Sequence, residues 1–132
     1  MSLLQRILSA AAATTLIMLV SGGAAMARGY SGSWPVTVTH SQHSNGTYCL
    51  TLTASGSASL IIGSQKFSYG SFLVINHTLV ATITAQAYSQ NAGLVFIGSA
   101  SRGNIGPGVF EDVYGGSDFD SGALAFGMKG GC

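Results

Sequence analysis

Residues 32–53 read GSWPVTVTHSQHSNGTYCLTLT and contain two runs in which apolar and polar residues alternate. Because successive side chains of a β-strand point to opposite sides of the sheet, the apolar residues of each run share one face. Those residues are Trp34, Val36 and Val38 in the first run and Tyr48, Leu50 and Leu52 in the second. The Asn45-Gly46 pair between the runs suits a tight hairpin turn. The segment therefore predicts two antiparallel strands.

Similar short runs continue along the rest of the chain, separated by turn residues and without a helical period. They cover residues 58–62, 67–75, 79–87, 93–100, 106–114 and 123–129. Seven or eight short strands at roughly ten-residue spacing predict an all-β antiparallel meander. Closure into a barrel would remove the exposed sheet edges that promote aggregation. We therefore expect a small closed barrel, with a β-sandwich as the alternative.

The N-terminal residues 1–27 have the layout of a secretory signal peptide. Arg6 precedes an apolar run from Ile7 to Val20, and small residues lead to Ala25-Met26-Ala27. The run is shorter than the about 20 residues that a membrane-spanning helix needs. The pattern predicts cleavage after Ala27 and a single mature domain, residues 28–132, that is secreted or periplasmic and not bound to a membrane.

The two cysteines, Cys49 and Cys132, are expected to pair, because an oxidising compartment favours a disulfide. Two free thiols are the alternative. In the chain-entropy model a bridge over so long a loop stabilises the fold by ~4 kcal/mol. Cys49 alternates with Leu50, so the bridge is expected on the outer surface or at the rim of the sheet. A last strand that reaches the second strand also favours a barrel over an open sheet.

Charge excludes one class of partner. The chain has five Lys and Arg residues against four Asp and Glu residues, and no basic stripe. A nucleic-acid-binding protein needs such a stripe to neutralise phosphates. We therefore expect no nucleic-acid partner, and an anionic membrane surface is disfavoured for the same reason.

All acidic residues lie in one window, FEDVYGGSDFDSG at residues 110–122. The candidate metal ligands are Glu111, Asp112, Asp118 and Asp120. The D-x-D spacing resembles part of a calcium loop, but the later acidic ligand of such a loop is missing. The competing interpretation is local, because Asp side chains stabilise turns through hydrogen bonds to the backbone.

No other constellation predicts chemistry. His40 and His43 form H-x-x-H, but residues three apart in a strand point to opposite faces. Serines are frequent, yet no G-x-S-x-G elbow opens a helix. Asp118 and Asp120 lie among glycines and serines, where water would keep both ionised, whereas an acid/base pair needs pKa values pushed apart. We predict that the protein is not an enzyme and has no cofactor.

Gly32-Ser33-Trp34, at the start of a meander of about eight strands, resembles the opening of calycin-like barrels, the lipocalin-like and avidin-like proteins. The resemblance implies that Trp34 plugs one end of the barrel and that a basic residue of the last strand, here Lys129, packs over it. It also implies an open end that can hold a small apolar ligand.

The sequence thus predicts a non-enzymatic binding module for a small apolar ligand or a protein partner. The alternative is a protease-inhibitor-like or envelope interaction protein that acts through its surface, with Arg28–Ser31 as a free segment. In so narrow a barrel we expect side chains to fill the interior. The inward candidates are Tyr48, Phe72, Phe96, Phe126 and Met128.

Overall fold

The computed structural model describes residues 24–85, 92–114 and 118–132. Within these residues one short helix, α1 (Ala24–Tyr30), precedes nine strands. The strands are β1 (Gly32–Thr39), β2 (Gly46–Leu52), β3 (Ala58–Ile62), β4 (Gln65–Phe67), β5 (Tyr69–Ile75), β6 (Thr78–Ala85), β7 (Ala92–Ser101), β8 (Asn104–Tyr114) and β9 (Asp118–Phe126). Most of the predicted signal peptide lies outside the described residues. Inside them, no helix has the length and apolarity that crossing a membrane requires.

The strands form one antiparallel sheet in the order β4-β3-β2-β1-β9-β8-β7-β6-β5. The first and last strands are paired, with Val36 opposite Phe126. The two ends of the sheet meet at a seam, where Ser57 bridges Ser71 and the Phe72 N–H donates to the Gly56 carbonyl at 2.9 Å. The sheet is therefore a nearly closed barrel, which confirms the predicted fold class.

The strand count exceeds the predicted seven or eight because the run at 67–75 begins earlier and breaks at Ser68. Its first part is β4, and its second part is β5. The last strand also differs from the prediction, since it begins at Asp118 and ends at Phe126. Met128 lies beyond it and is 85% exposed, so its predicted inward orientation is wrong.

The interior of the barrel is occupied by one cluster of buried side chains. The largest of its fully buried members are Phe96, Phe110, Leu50, Leu52, Leu60, Leu79, Ile83, Val36 and Val38. The predicted inward positions of Phe72 and Phe96 are confirmed, and Tyr48 and Phe126 pack against the cluster while partly buried. In β1 and β2 the buried side chains alternate with less buried ones, as the sequence pattern predicts.

The helix covers one end of the barrel, which we call the helix end. Trp34 is buried there; its indole N–H donates to the Tyr30 carbonyl at 3.0 Å, and its ring meets Phe126 edge-on. Tyr30 is itself buried. The Ser31 hydroxyl donates to the Arg28 carbonyl at 2.9 Å. Arg28–Ser31 is therefore not the free segment that the inhibitor hypothesis requires.

The Cys49–Cys132 disulfide is present, as predicted, with the two Cα atoms 5.9 Å apart. Residues after β9 run back along β1: the Gly127 N–H donates to the Pro35 carbonyl, and the Gly130 N–H donates to the Ser33 carbonyl, each at 2.7 Å. Pro35 lies opposite Cys49 in the sheet. The tail thus crosses the outer surface of β1 to reach β2.

Candidate functional site

Two carboxylates of the acidic window meet at the end of the barrel opposite α1, which we call the loop end. Asp112 of β8 and Asp120 of β9 are cross-strand neighbours. They alternate in phase with Phe110 and Leu124, which are buried, so both carboxylates lie on the inner face. Asp112 is only 3% exposed.

Asp120 binds the loop between β1 and β2. Its Oδ2 accepts hydrogen bonds from the Ser41 hydroxyl at 2.5 Å and from the His43 N–H at 3.1 Å, while its Oδ1 accepts from the Gln42 N–H at 3.0 Å. These donors favour the ionised form, first the Gln42 N–H and then the Ser41 hydroxyl, and they lower the pKa of Asp120 to about 2.

The loop has its own internal bonds. The Ser41 hydroxyl accepts from the Ser44 N–H at 2.8 Å and from the His43 N–H at 3.2 Å. The Asn45 side chain accepts from the Ser41 N–H at 2.8 Å and donates to the Ser41 carbonyl at 2.9 Å. His40 turns the chain into the loop with a φ of 61°. The loop is therefore a structured turn.

Asp112 also binds the loop between β1 and β2, through Ser44. The Ser44 hydroxyl donates to Asp112 Oδ2 at 2.9 Å, and the Tyr48 hydroxyl donates to the Ser44 carbonyl at 2.5 Å. Burial, followed by the charge of Asp112, raises the pKa of Tyr48, so the phenol stays a donor. We call Ser41, Ser44, Tyr48, Asp112 and Asp120 the loop clasp.

The clasp accounts for two of the four candidate metal ligands. Glu111 projects from the opposite face of β8, and the side chain of Asp118 lies outside the described part of the structure. Among the described residues, no three His, Cys, Asp or Glu side chains group together as a metal site would need. Asp112 and Asp120 instead stabilise a turn, although that turn belongs to β1 and β2.

Other residues singled out from the sequence are dispersed. His40 follows the end of β1, and the backbone N–H of His43 donates to Asp120. Lys129 lies beyond β9, where its side-chain carbons pack over Gly32: a methyl group on Gly32 would approach Lys129 Cε to 2.7 Å. Lys129 therefore borders the strand that carries Trp34.

A largely apolar surface, which the sequence analysis missed, covers the outside of β7, β8 and β9. Two of its side chains, Val109 and Phe119, are exposed, and the others are half-buried. We call it the valine face, and its members are Val95, Ile97, Val109, Glu111, Val113 and Phe119. Val109 lies between Ile97 and Ala123, and Val113 lies opposite Phe119, which is 74% exposed. The available signal was that β8 has apolar residues on both faces, with Val109 and Val113 on one and Phe110 on the other.

A scan against protein-family models found no match, and neither the curated proteins nor the solved structures compared with this chain gave one. The calycin-like resemblance therefore stays a prediction from sequence.

Proposed function

We propose that this protein is a non-enzymatic binding module that engages a protein partner through its outer surface. The observation that carries the proposal is the valine face, where Phe119 and Val109 are exposed on adjacent strands. Contiguous exposed apolar patches with an aromatic member are typical of interaction sites. Because β8 is hydrogen-bonded to β7 on one side and to β9 on the other, the backbone holds the side chains of the valine face in fixed positions.

A small apolar ligand inside the barrel is the less favoured version of this proposal. The rings of Phe96 and Phe110 lie 5.4 Å apart in the buried cluster, and both side chains are fully buried. A ligand on the barrel axis would have to displace such side chains at the expense of core packing. The two inward carboxylates are likewise committed to the loop clasp.

The proposed location is outside the cytoplasm, either secreted or periplasmic. The Cys49–Cys132 disulfide supports it, because disulfides persist in oxidising compartments. The signal-peptide pattern of residues 1–27 points the same way.

The test uses the purified protein as immobilised bait against the exported proteins of its native cells, with captured proteins identified by mass spectrometry. We expect one partner to be retained by the wild type and its retention to fall at least about tenfold with Phe119→Ser, since buried aromatic anchors dominate interfaces. Ile75→Ser is the matched control, because Ile75 is 41% exposed on β5, away from the valine face.

Equal retention by the wild type and Phe119→Ser would contradict the proposal. So would native mass spectrometry that shows a stoichiometric small apolar molecule bound equally to both proteins.

A further inference from the structure

A second exposed patch lies on β3, β4 and β5. Ile61 and Lys66 are direct cross-strand partners, and both are exposed. Tyr69, three residues after Lys66, is 65% exposed. We call Ile61, Lys66 and Tyr69 the lysine face.

The two faces are complementary in charge and similar in apolar character. Glu111 is the outward-facing acid among the acidic side chains that the structure describes, and its cross-strand neighbours are Val95 and Ser121. Each face thus combines large exposed apolar side chains with one charge, negative on the valine face and positive on the lysine face.

The positions of the remaining cations strengthen the match. Arg28 is in α1, Arg102 is in the turn between β7 and β8, and Lys129 packs beside Gly32 at the start of β1. These three are therefore grouped at the helix end of the barrel. Among the basic residues that the structure describes, Lys66 is the one that lies on the outside of a strand, opposite the apolar side chain of Ile61.

The strand order places the two faces on opposite sides of the barrel. From β8 to β3 the sheet passes through β9, β1 and β2 in one direction, and through β7, β6 and β5 in the other. A contact between the valine face of one copy and the lysine face of another therefore joins different surfaces of the two molecules. Such a heterologous contact leaves one unused face on each terminal copy, so further copies can add until the rotation between neighbours closes a ring.

We propose that the protein associates with itself head to tail, with the valine face of one copy bound to the lysine face of the next. Glu111 pairs with Lys66 of the neighbouring copy, and Phe119 packs against that copy's Ile61 and Tyr69. The inference rests on the proposed function, because it takes a second copy of this chain as the partner. An exposed ion pair contributes little affinity and mainly sets orientation, so the apolar contacts supply most of the binding.

Sedimentation velocity over a wide concentration range tests the association. We expect the average mass of the wild type to rise with concentration. Glu111→Lys and Lys66→Glu should each weaken association about tenfold, because each places like charges together. The double variant should recover association, because it restores the pair in reverse. Arg102→Glu is the matched control: it reverses a cation at the helix end and should leave association unchanged.

Carbodiimide cross-linking gives an independent readout, since the reagent joins a carboxylate to a lysine amine with loss of water. A mixture of ¹⁴N- and ¹⁵N-labelled protein should yield a mixed-isotope peptide pair that joins Glu111 to Lys66. Circular dichroism verifies that each variant is folded.

A mass that stays monomeric at every concentration would overturn the inference, as would a double variant that associates no better than the single variants. If the protein is monomeric but Phe119 still governs capture of another protein, only self-association fails. If neither is observed, the proposed function fails as well.

Discussion

Asp112 and Asp120 face each other across β8 and β9, and both carboxylates accept hydrogen bonds from a loop that lies 68 to 79 residues earlier in the chain. Paired carboxylates on one sheet face repel each other unless donors surround them. Here Ser41, Gln42, His43 and Ser44 supply those donors. The acidic window therefore joins the first hairpin to the last.

Replacing Asp120 with Asn should loosen the loop. The amide group turns one acceptor into a donor, which then faces the Ser41 hydroxyl or the backbone N–H groups. We expect hydrogen exchange at the Gln42 and His43 amides to accelerate by roughly tenfold, as measured by NMR. Glu111→Gln, on the outer face of the next strand, is the control and should leave these amides unchanged. If exchange at these amides is unaltered in the Asp120 variant, the Asp120 carboxylate does not protect them.

The clasp also predicts acid sensitivity. The pKa of Asp120 is about 2 in the folded protein, whereas an unfolded Asp has a value near 3.9. A lowered folded-state pKa contributes stability that is present above about pH 4 and is lost as the pH falls towards 2. Urea midpoints should therefore fall more steeply between pH 5 and pH 2 for the wild type than for Asp120→Asn. Parallel declines would contradict this assignment.

The sequence pattern predicted the barrel because alternation reports which side of a strand is buried. Trp34, Val36 and Val38 satisfy that pattern completely. It failed at Asp118–Gly122, where no apolar alternation exists and pairing with β8 decides the strand. The sequence pattern also missed the break at Ser68. There the chain leaves its pairing with β3 and begins to pair with β6.

The clasp could not be predicted from local sequence, because its members are far apart in the chain. One signal was present. Asp112 and Asp120 occupy the same strand faces as Phe110 and Leu124, and a polar residue at an inward position needs a hydrogen-bonding partner. The loop that supplies the partner is selected only when β1 pairs with β9.

Gly70 lies beside the seam, where the neighbouring strands leave no room for a side chain. A methyl group there would lie 2.6 Å from the carbonyl oxygens of both Ala58 and Thr82, which belong to the strands on either side, and 2.5 Å from Ile83 Cδ1. We expect Gly70→Ala to lower the free energy of unfolding by about 2 kcal/mol, as overpacking does. Gly93→Ala is the control, since a methyl group at Gly93 meets nothing within 4 Å. Denaturant titration of both variants decides the point, and equal stabilities would refute it.

The disulfide should contribute strongly to stability because it spans 83 residues. In the chain-entropy model, loss of such a bridge costs ~4 kcal/mol. We expect urea unfolding of the wild type to shift to lower concentration in reductant and to match a Cys49→Ser/Cys132→Ser double variant. The double variant itself should not respond to reductant. Coincident curves for the reduced and oxidised wild type would count against the prediction.

The pairing of β1 with β9 also sets a limit on the order of assembly. A chain that emerges N-terminus first can form the hairpins of β1 with β2 and of β5 with β6 as each is completed. The free edge of β1, however, stays unpaired until Ala123–Phe126 has emerged. Because distant contacts form slowly and leave edges open to aggregation, closure of the barrel is a step that follows the synthesis of β9.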